Sequence, residues 1–177
     1  MSIDLSVVIP CLNEEKTIGI CVEKCNSVFE RLNISGEVIV ADNGSTDNSV
    51  AIAKEKGAIV IHPVENGYVS GYGSGLRFGF KKANGKYVLM ADADDTYDFL
   101  ETPLLWNALD EGTDMVIGTR LKGNIEKDAM PFLNRYLGTP VLTMVFDILY
   151  GRKISDMTCG MRLMKKESLD KLTFSTF

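Results

Sequence analysis

Three aspartates fall within four residues in Ala91-Asp92-Ala93-Asp94-Asp95, directly after the apolar run Tyr87–Ala91. Alternate residues of an extended segment point to the same side, so Asp92 and Asp94 are expected to converge. Two carboxylates brought close repel one another unless a cation lies between them. Oxygen ligands with open coordination positions suit Mg²⁺ or Mn²⁺, and Mg²⁺ commonly takes one or two carboxylates together with phosphate oxygens. Such an ion would neutralise and orient a leaving diphosphate. Aspartates after a strand also cap helices, but three are more than a cap requires.

A second polar cluster, Ala41-Asp42-Asn43-Gly44-Ser45-Thr46-Asp47, follows another apolar run. Asp42 ends that run, where a carboxylate can accept bonds from a nucleobase or ribose; Ser45 or Asp47 reads as the cap of the next helix. Pro10-Cys11-Leu12-Asn13-Glu14, after Leu5–Ile9, would form the opposite wall of the same crevice. The loop Gly67–Gly75 is no dinucleotide fingerprint, because the sixth position counted from Gly71 is Leu76 and the loop follows the third strand. Its amides, Gly71 among them, either approach an anionic donor or serve tight turns. Gly118-Thr119-Arg120 lies at a strand end and Arg135 in the next segment; the planar guanidinium suits phosphate oxygens.

These residues need a scaffold, and the pattern supplies one. Leu5–Ile9, Val38–Ala41, Ala58–Ile61, Tyr87–Ala91 and Met115–Ile117 read as short buried strands. Between them, Ile18, Cys21, Val22, Cys25, Val28, Phe29 and Leu32 make a helical stripe capped by Asn13; further helices end at Lys56-Gly57, surround Leu76–Ala83 and run from Pro103 to about Glu111. Alternating strands and helices give an α/β domain with a mostly parallel central sheet flanked by helices, spanning residues 1–177. Ligands of such sheets bind beyond the carboxyl ends of the strands. That rule selects Pro10–Glu14, Asp42–Asp47, Asp92–Asp95 and Gly118–Lys122. The run Val141–Tyr150 is apolar apart from a stripe of Thr143 and Asp147, as befits a buried helix or one lying on a membrane or a second helix.

The net charge of −5 is unevenly spread: residues 1–114 carry 18 of the 24 acidic groups, residues 115–177 carry 10 of the 19 basic ones. Overall acidity argues against a nucleic-acid partner, while the basic last third suits an anionic surface, with Arg120, Lys122, Lys127, Arg152 and Lys153 facing lipid headgroups. Four cysteines without a CxxC pair, and a single histidine, read as reduced core thiols in a cytoplasmic setting. No stretch is long and apolar enough for a bilayer span.

Taken in order, VVIPCLNEE, ADNGSTDNS, the glycine-rich loop and MADADD resemble the family 2 glycosyltransferases of GT-A fold, and within them the dolichyl- and polyprenyl-phosphate sugar synthases. The resemblance implies inverting transfer of a hexose from a nucleotide-diphosphate sugar to a polyprenyl or dolichyl phosphate at the cytoplasmic face of a membrane. It implies that Pro10, Asn13, Glu14 and Asp42 hold the nucleoside and that Asp92 and Asp94 hold a metal diphosphate, with Asp94 in the catalytic set. Thr96 stands where the family often has a glutamine. Arg120 and Arg135 match arginines that contact the acceptor phosphate. Asp156-Met157-Thr158-Cys159-Gly160-Met161-Arg162 resembles the family's DxxxGFR segment, with Met161 in place of the aromatic. Asp156 is then the acidic residue near the acceptor, the base if the acceptor is a hydroxyl; its alternative is a buried pair with Arg162, itself counted among the binding residues. Transfer to a saccharide hydroxyl and a non-catalytic nucleotide-sugar-binding module stand as alternatives. A nucleotidyltransferase would need an N-terminal GxGTR loop, which is absent. The family's domains usually continue further, so a catalytic piece of a longer membrane-associated enzyme is expected.

Overall fold

A computed structural model describes residues 2–120, 137–151 and 154–172. Its centre is β1 (Leu5–Cys11), all seven of whose residues are buried. A strand buried on both faces is mostly apolar, and the one hydroxyl of β1, on Ser6, donates to Glu37 Oε1 at 2.6 Å; each face has its own helix. Leu5, Val7 and Ile9 share a core with Ile18, Cys21, Val22 and Cys25 of α1 (Ile18–Leu32). Val8, pointing the other way, packs with Leu76 and Phe80 of α3 (Tyr72–Lys82). Gly79 makes this second contact close: a Cβ there would lie 2.3 Å from Val8 Cγ1. Fully burying each such aliphatic side chain is worth about 1.5–3 kcal/mol.

The remaining elements are β2 (Gly36–Asp42), α2 (Ser49–Glu55), β3 (Ile59–Ile61), β4 (Tyr87–Met90), α4 (Thr102–Asn107), β5 (Met115–Ile117), α5 (Thr139–Tyr150), β6 (Arg162–Lys165) and α6 (Lys166–Asp170). The six strands run in the order β3-β2-β1-β4-β6-β5. β1 to β4 are parallel, which bears out the α/β expectation. β6 is antiparallel to both β4 and β5, and Ile117 of β5 stands opposite Arg162. The sequence pattern had not marked Arg162–Lys165 as a strand, since two of its four residues are basic.

Two helix boundaries differ from expectation. Asn13 adopts a left-handed φ of 58° and does not cap α1. A turn at Glu14–Thr17 intervenes, with the Ile18 amide donating to the Glu14 carbonyl at 2.9 Å, and α1 begins at Ile18. α4 stops at Asn107, four residues short of Glu111, where Asp110 gathers the Gly112 amide at 3.0 Å and the Thr113 hydroxyl into a turn. Among the described residues, no helix is long and apolar enough to cross a membrane.

Candidate active site

Beyond the carboxyl ends of β1, β2 and β4 lies a cavity of about 410 Å³. Pro10 and Glu14 line it from β1, Asn43 from β2, Gly71 and Tyr72 from the glycine-rich loop, and Asp92 and Asp94 from β4. The sequence thus brings Pro10, Glu14, Gly71, Asp92 and Asp94 to one place.

The two aspartates meet by a different route from simple alternation. β4 ends at Met90, and Ala93–Asp95 is a turn. Asp95 takes a left-handed φ of 60°, which sends its side chain away from its neighbour's. Lys24 of α1 receives it, its Nζ 2.9 and 3.1 Å from the two Asp95 oxygens and 3.1 Å from Asp98. One turn earlier on α1, Cys21 Sγ donates to the Ala93 carbonyl at 3.5 Å. Burial pushes that thiol up to about 12, so it stays protonated and a donor. With Asp95 neutralised, Asp92 and Asp94 are left facing the cavity. Asp94 is exposed and accepts the Thr96 amide at 3.0 Å. Asp92 is half-buried and accepts the Tyr72 hydroxyl at 2.8 Å.

Two carboxylates are a partial ligand set, and among the described residues no group of three or more His, Cys, Asp or Glu could hold a metal. That donor chemistry fits a hard divalent cation completing its shell with diphosphate oxygens and water.

The nucleoside wall differs from expectation. Asp42 is 3 % exposed and absent from the cavity lining. Its carboxylate accepts the amides of Gly44 at 3.1 Å and Ser45 at 3.2 Å, and lies 3.4 Å from His62 Nδ1. An aspartate ending a strand above a glycine turn folds back on its own loop, and the residue after it, Asn43, is turned into the crevice. Asn13 is likewise occupied: its Oδ1 accepts the Thr46 amide at 2.8 Å, while the Asn13 amide donates to Ser45 Oγ at 2.9 Å. Asp42 and Asn13 therefore knit two walls together. Gly75 completes the fit, since a Cβ there would lie 2.9 Å from Asn43 Nδ2.

The third wall carries the arginine chemistry. Asp156 is fully buried and held in a fork by Arg120, Nε to Oδ2 at 2.9 Å and Nη2 to Oδ1 at 3.0 Å. The Thr158 amide and hydroxyl add bonds of 3.1 and 2.9 Å to Oδ1. Burial pushes the Asp156 carboxyl up, but the Arg120 and Thr158 bonds outweigh it and hold the group below its ordinary value. The partner is Arg120 and not Arg162, whose guanidinium donates instead to the carbonyls of Cys159 and Met157, each at 2.9 Å. This segment abuts the Asp92–Asp94 wall at Gly160: its amide donates to Tyr97 Oη at 2.8 Å, and a Cβ there would lie 3.1 Å from Asp92 Oδ2. Arg135, Lys122, Lys127, Arg152 and Lys153 lie outside the described residues.

Sequence reasoning missed Lys24, Tyr72, Asn43 and Gly160. A lysine at helical spacing from Cys21 gave no sign of its acidic partner, and an aromatic inside a glycine loop gave none of its contact. Gly160 sat inside a recognised segment, which was the available signal for close approach.

Helix α5 inverts the usual arrangement. Its inward residues are polar: Thr139 and Thr143 are buried, Thr143 Oγ1 accepts the Met157 amide at 3.3 Å, and Asp147 accepts the Ile154 amide at 3.0 Å. Leu142, Met144, Ile148, Leu149 and Tyr150 face outward, Ile148 at 73 % exposure.

Residues 6–173 match the family model described as glycosyl transferase family 2. The chain is 43 % identical over 173 residues to the low-salt glycan biosynthesis hexosyltransferase Agl6 of Haloferax volcanii, covering 97 % of this chain and 41 % of that protein. It is 30 % identical over 172 residues to the dolichyl-phosphate hexose transferase of the same organism, covering 97 % and 71 %. A crystal structure of Mycobacterium tuberculosis glucosyl-3-phosphoglycerate synthase with Mn²⁺, UDP-glucose and phosphoglyceric acid superposes with a TM-score of 0.73 at 25 % identity, over 97 % of this chain and 60 % of that one.

Proposed function

The chain belongs to glycosyl transferase family 2 and is a glycosyltransferase of GT-A fold; from that premise we propose that it moves a hexose from a nucleotide-diphosphate sugar to the phosphate of a polyprenyl or dolichyl lipid, working on the cytoplasmic face of a membrane. The observation that carries the choice of acceptor is the fork between Arg120 and buried Asp156. A hydroxyl acceptor needs a general base, and a useful base has a pKa near the working pH. Asp156 is displaced the opposite way, below its ordinary value. A lipid phosphate is already ionised and needs no base. The dolichyl-phosphate relative and the outward apolar face of α5 support the same acceptor.

In this reading Pro10, Glu14 and Asn43 hold the nucleoside, with Asp42 and Asn13 setting the shape of their loops. The Gly71 loop lies along the diphosphate. Asp92 and Asp94 hold Mg²⁺ or Mn²⁺, which when bound supplies charge neutralisation for the departing diphosphate. Asp156 fixes the Arg120 guanidinium, whose remaining Nη1 edge is offered to the acceptor phosphate, and Arg162 adds positive charge on that side; Arg135, matched to the same role by resemblance, lies outside the described residues. Catalysis then rests on holding the acceptor oxygen in line with the anomeric carbon and on stabilising the leaving group. The outward face of α5 rests in the lipid interface, keeping the acceptor phosphate at the crevice.

The test is transfer by the purified chain from UDP-glucose and GDP-mannose, with Mn²⁺, to a short polyprenyl phosphate in detergent, with phosphoglyceric acid and free glucose as hydroxyl acceptors. Formation of a glycosyl phosphate lipid, with a rate flat from about pH 7 to 8, above the second ionisation of the acceptor phosphate at about 6, is the expected result. Preferential transfer to either hydroxyl acceptor overturns the assignment.

A further inference from the structure

Asp92 and Asp94 are anchored in different ways. Among the described residues, Asp94 bonds only within its own turn, to the Thr96 amide. Asp92 is held from across the crevice: its Oδ1 accepts the Tyr72 hydroxyl, twenty residues earlier, at 2.8 Å. On its other side the Gly160 backbone closes in, leaving 3.1 Å between Oδ2 and an added Cβ. Asp92 is therefore gripped between the first residue of α3 and the segment that ends in β6.

Tyr72 has a second connection. It follows Gly71, whose φ of 146° belongs to the region that favours glycine. The Gly71 amide lies 3.5 Å from Asn43 Oδ1, and one turn on, Gly75 packs against the Asn43 amide. One short stretch, Gly71–Gly75, thus touches the nucleoside wall at Asn43 and the metal wall at Asp92. Whatever displaces Asn43 or the loop acts directly on the Asp92 carboxylate. A carboxylate has about four lone-pair sites, so Asp92 can keep the Tyr72 bond and still ligate a cation.

We propose that Tyr72 is a positioning residue for Asp92 that links the glycine-rich loop to the metal site, so that a part of the mutual tightening between a divalent cation and a nucleoside diphosphate, beyond their direct ligation, runs through it. The inference rests on the reading that Asp92 and Asp94 hold the cation. Linkage requires the two ligands to enhance each other by the same factor. That factor is measurable from four calorimetric titrations: Mn²⁺ with and without nucleotide, and nucleotide with and without Mn²⁺, using UDP or GDP, whichever the wild type binds.

The wild type is expected to show enhancement of about fivefold or more, the lower end of usual couplings. In Tyr72→Phe, which removes one hydroxyl from a half-exposed side chain, the factor should fall severalfold below the wild-type value, the remainder being direct ligation of the cation by the diphosphate. The melting temperature should stay at the wild-type value, and any loss of metal-free nucleotide affinity should be smaller than the loss of enhancement. Enhancement equal to wild type in Tyr72→Phe overturns the proposal, as does a parallel weakening of all four titrations. A wild type that binds Mn²⁺ without enhancement overturns the proposal and leaves the metal reading standing. A wild type that binds no Mn²⁺ in either state overturns both.

Discussion

Helices α1 and α5 are both strongly patterned, and they face opposite ways. α1 turns Ile18, Cys21, Val22, Cys25, Val28 and Phe29 into the core beneath β1. α5 turns Thr139, Thr143 and Asp147 towards the protein, where loop amides and hydroxyls need acceptors, and leaves its aliphatic residues outside. The same contrast divides the chain. The part that builds β1 to β4 buries hydrocarbon and keeps Asp92 and Asp94 at the cavity. The part around β5 and β6 buries an ion pair, Asp156 with Arg120. A periodic stripe identifies a helix, but the partners waiting on either side decide which face goes in.

That division can be broken at four points. The largest effect is expected at Phe99, fully buried in the first core. Phe99→Ala should cost about 3–5 kcal/mol of stability, measured by urea unfolding; a loss under about 1 kcal/mol would mean that this core is not close-packed.

Next is Asp156→Asn, which leaves Arg120 without its counter-charge. Removing one partner of a fully buried pair costs about 3–5 kcal/mol, and the partial exposure of Arg120 lowers the expectation to about 2–3 kcal/mol. The sign with pH follows from the depressed carboxyl. The stabilisation is present above the unfolded-state value near 3.8 and is lost as pH falls through the lower folded-state value. Acid titration of stability below about pH 4 should therefore be shallower in Asp156→Asn than in the wild type. Equal slopes would place the stabilising charge elsewhere.

A third comparison sets two adjacent aspartates apart. Asp94→Asn should weaken Mn²⁺ binding in the presence of nucleotide by about tenfold or more, some 1.4 kcal/mol. Asp95→Asn, already claimed by Lys24, should change it by less than about threefold. Calorimetry that ranks them the other way would show that the turn presents Asp95 to the cation.

The smallest effect on stability belongs to α5. Ile148→Ser should shift unfolding by no more than about 0.5 kcal/mol, yet reduce sedimentation with vesicles of phosphatidylglycerol and phosphatidylcholine. Destabilisation comparable to Phe99→Ala would mean that α5 is part of the core after all.

The parallel half of the fold was legible because its signals are local: unbroken apolar strands, a helical stripe, and polar clusters at strand ends. The cavity was legible for the same reason, since strand ends are where such sheets bind ligands. What escaped depended on contacts distant in sequence. Asp42 reads as an open carboxylate until the turn at Gly44 folds its acceptors inward, and Asn43 then takes its place in the crevice. Spacing pointed to Arg162 as the buried partner of Asp156, because Arg120 arrives from thirty-six residues away. β6 is short and half basic, and only its neighbours β4 and β5 make Arg162–Lys165 a strand.

Ile117 and Arg162 are partners across the β5–β6 pairing, about 5 Å apart as antiparallel neighbours are. β5 ends at Ile117 and β6 begins at Arg162, so the chain leaves and re-enters the sheet at adjoining positions. The entropy of closing that excursion is met by the strand pairing itself, and grows only slowly with its length. A longer or shorter segment could be grafted inside that excursion without disturbing β1 to β4, provided that Gly160 keeps its place against Asp92. On the proposed assignment of the acceptor to this excursion, its preference is a replaceable cartridge, free to diverge by natural exchange or by engineering while β1 to β4 stay as they are.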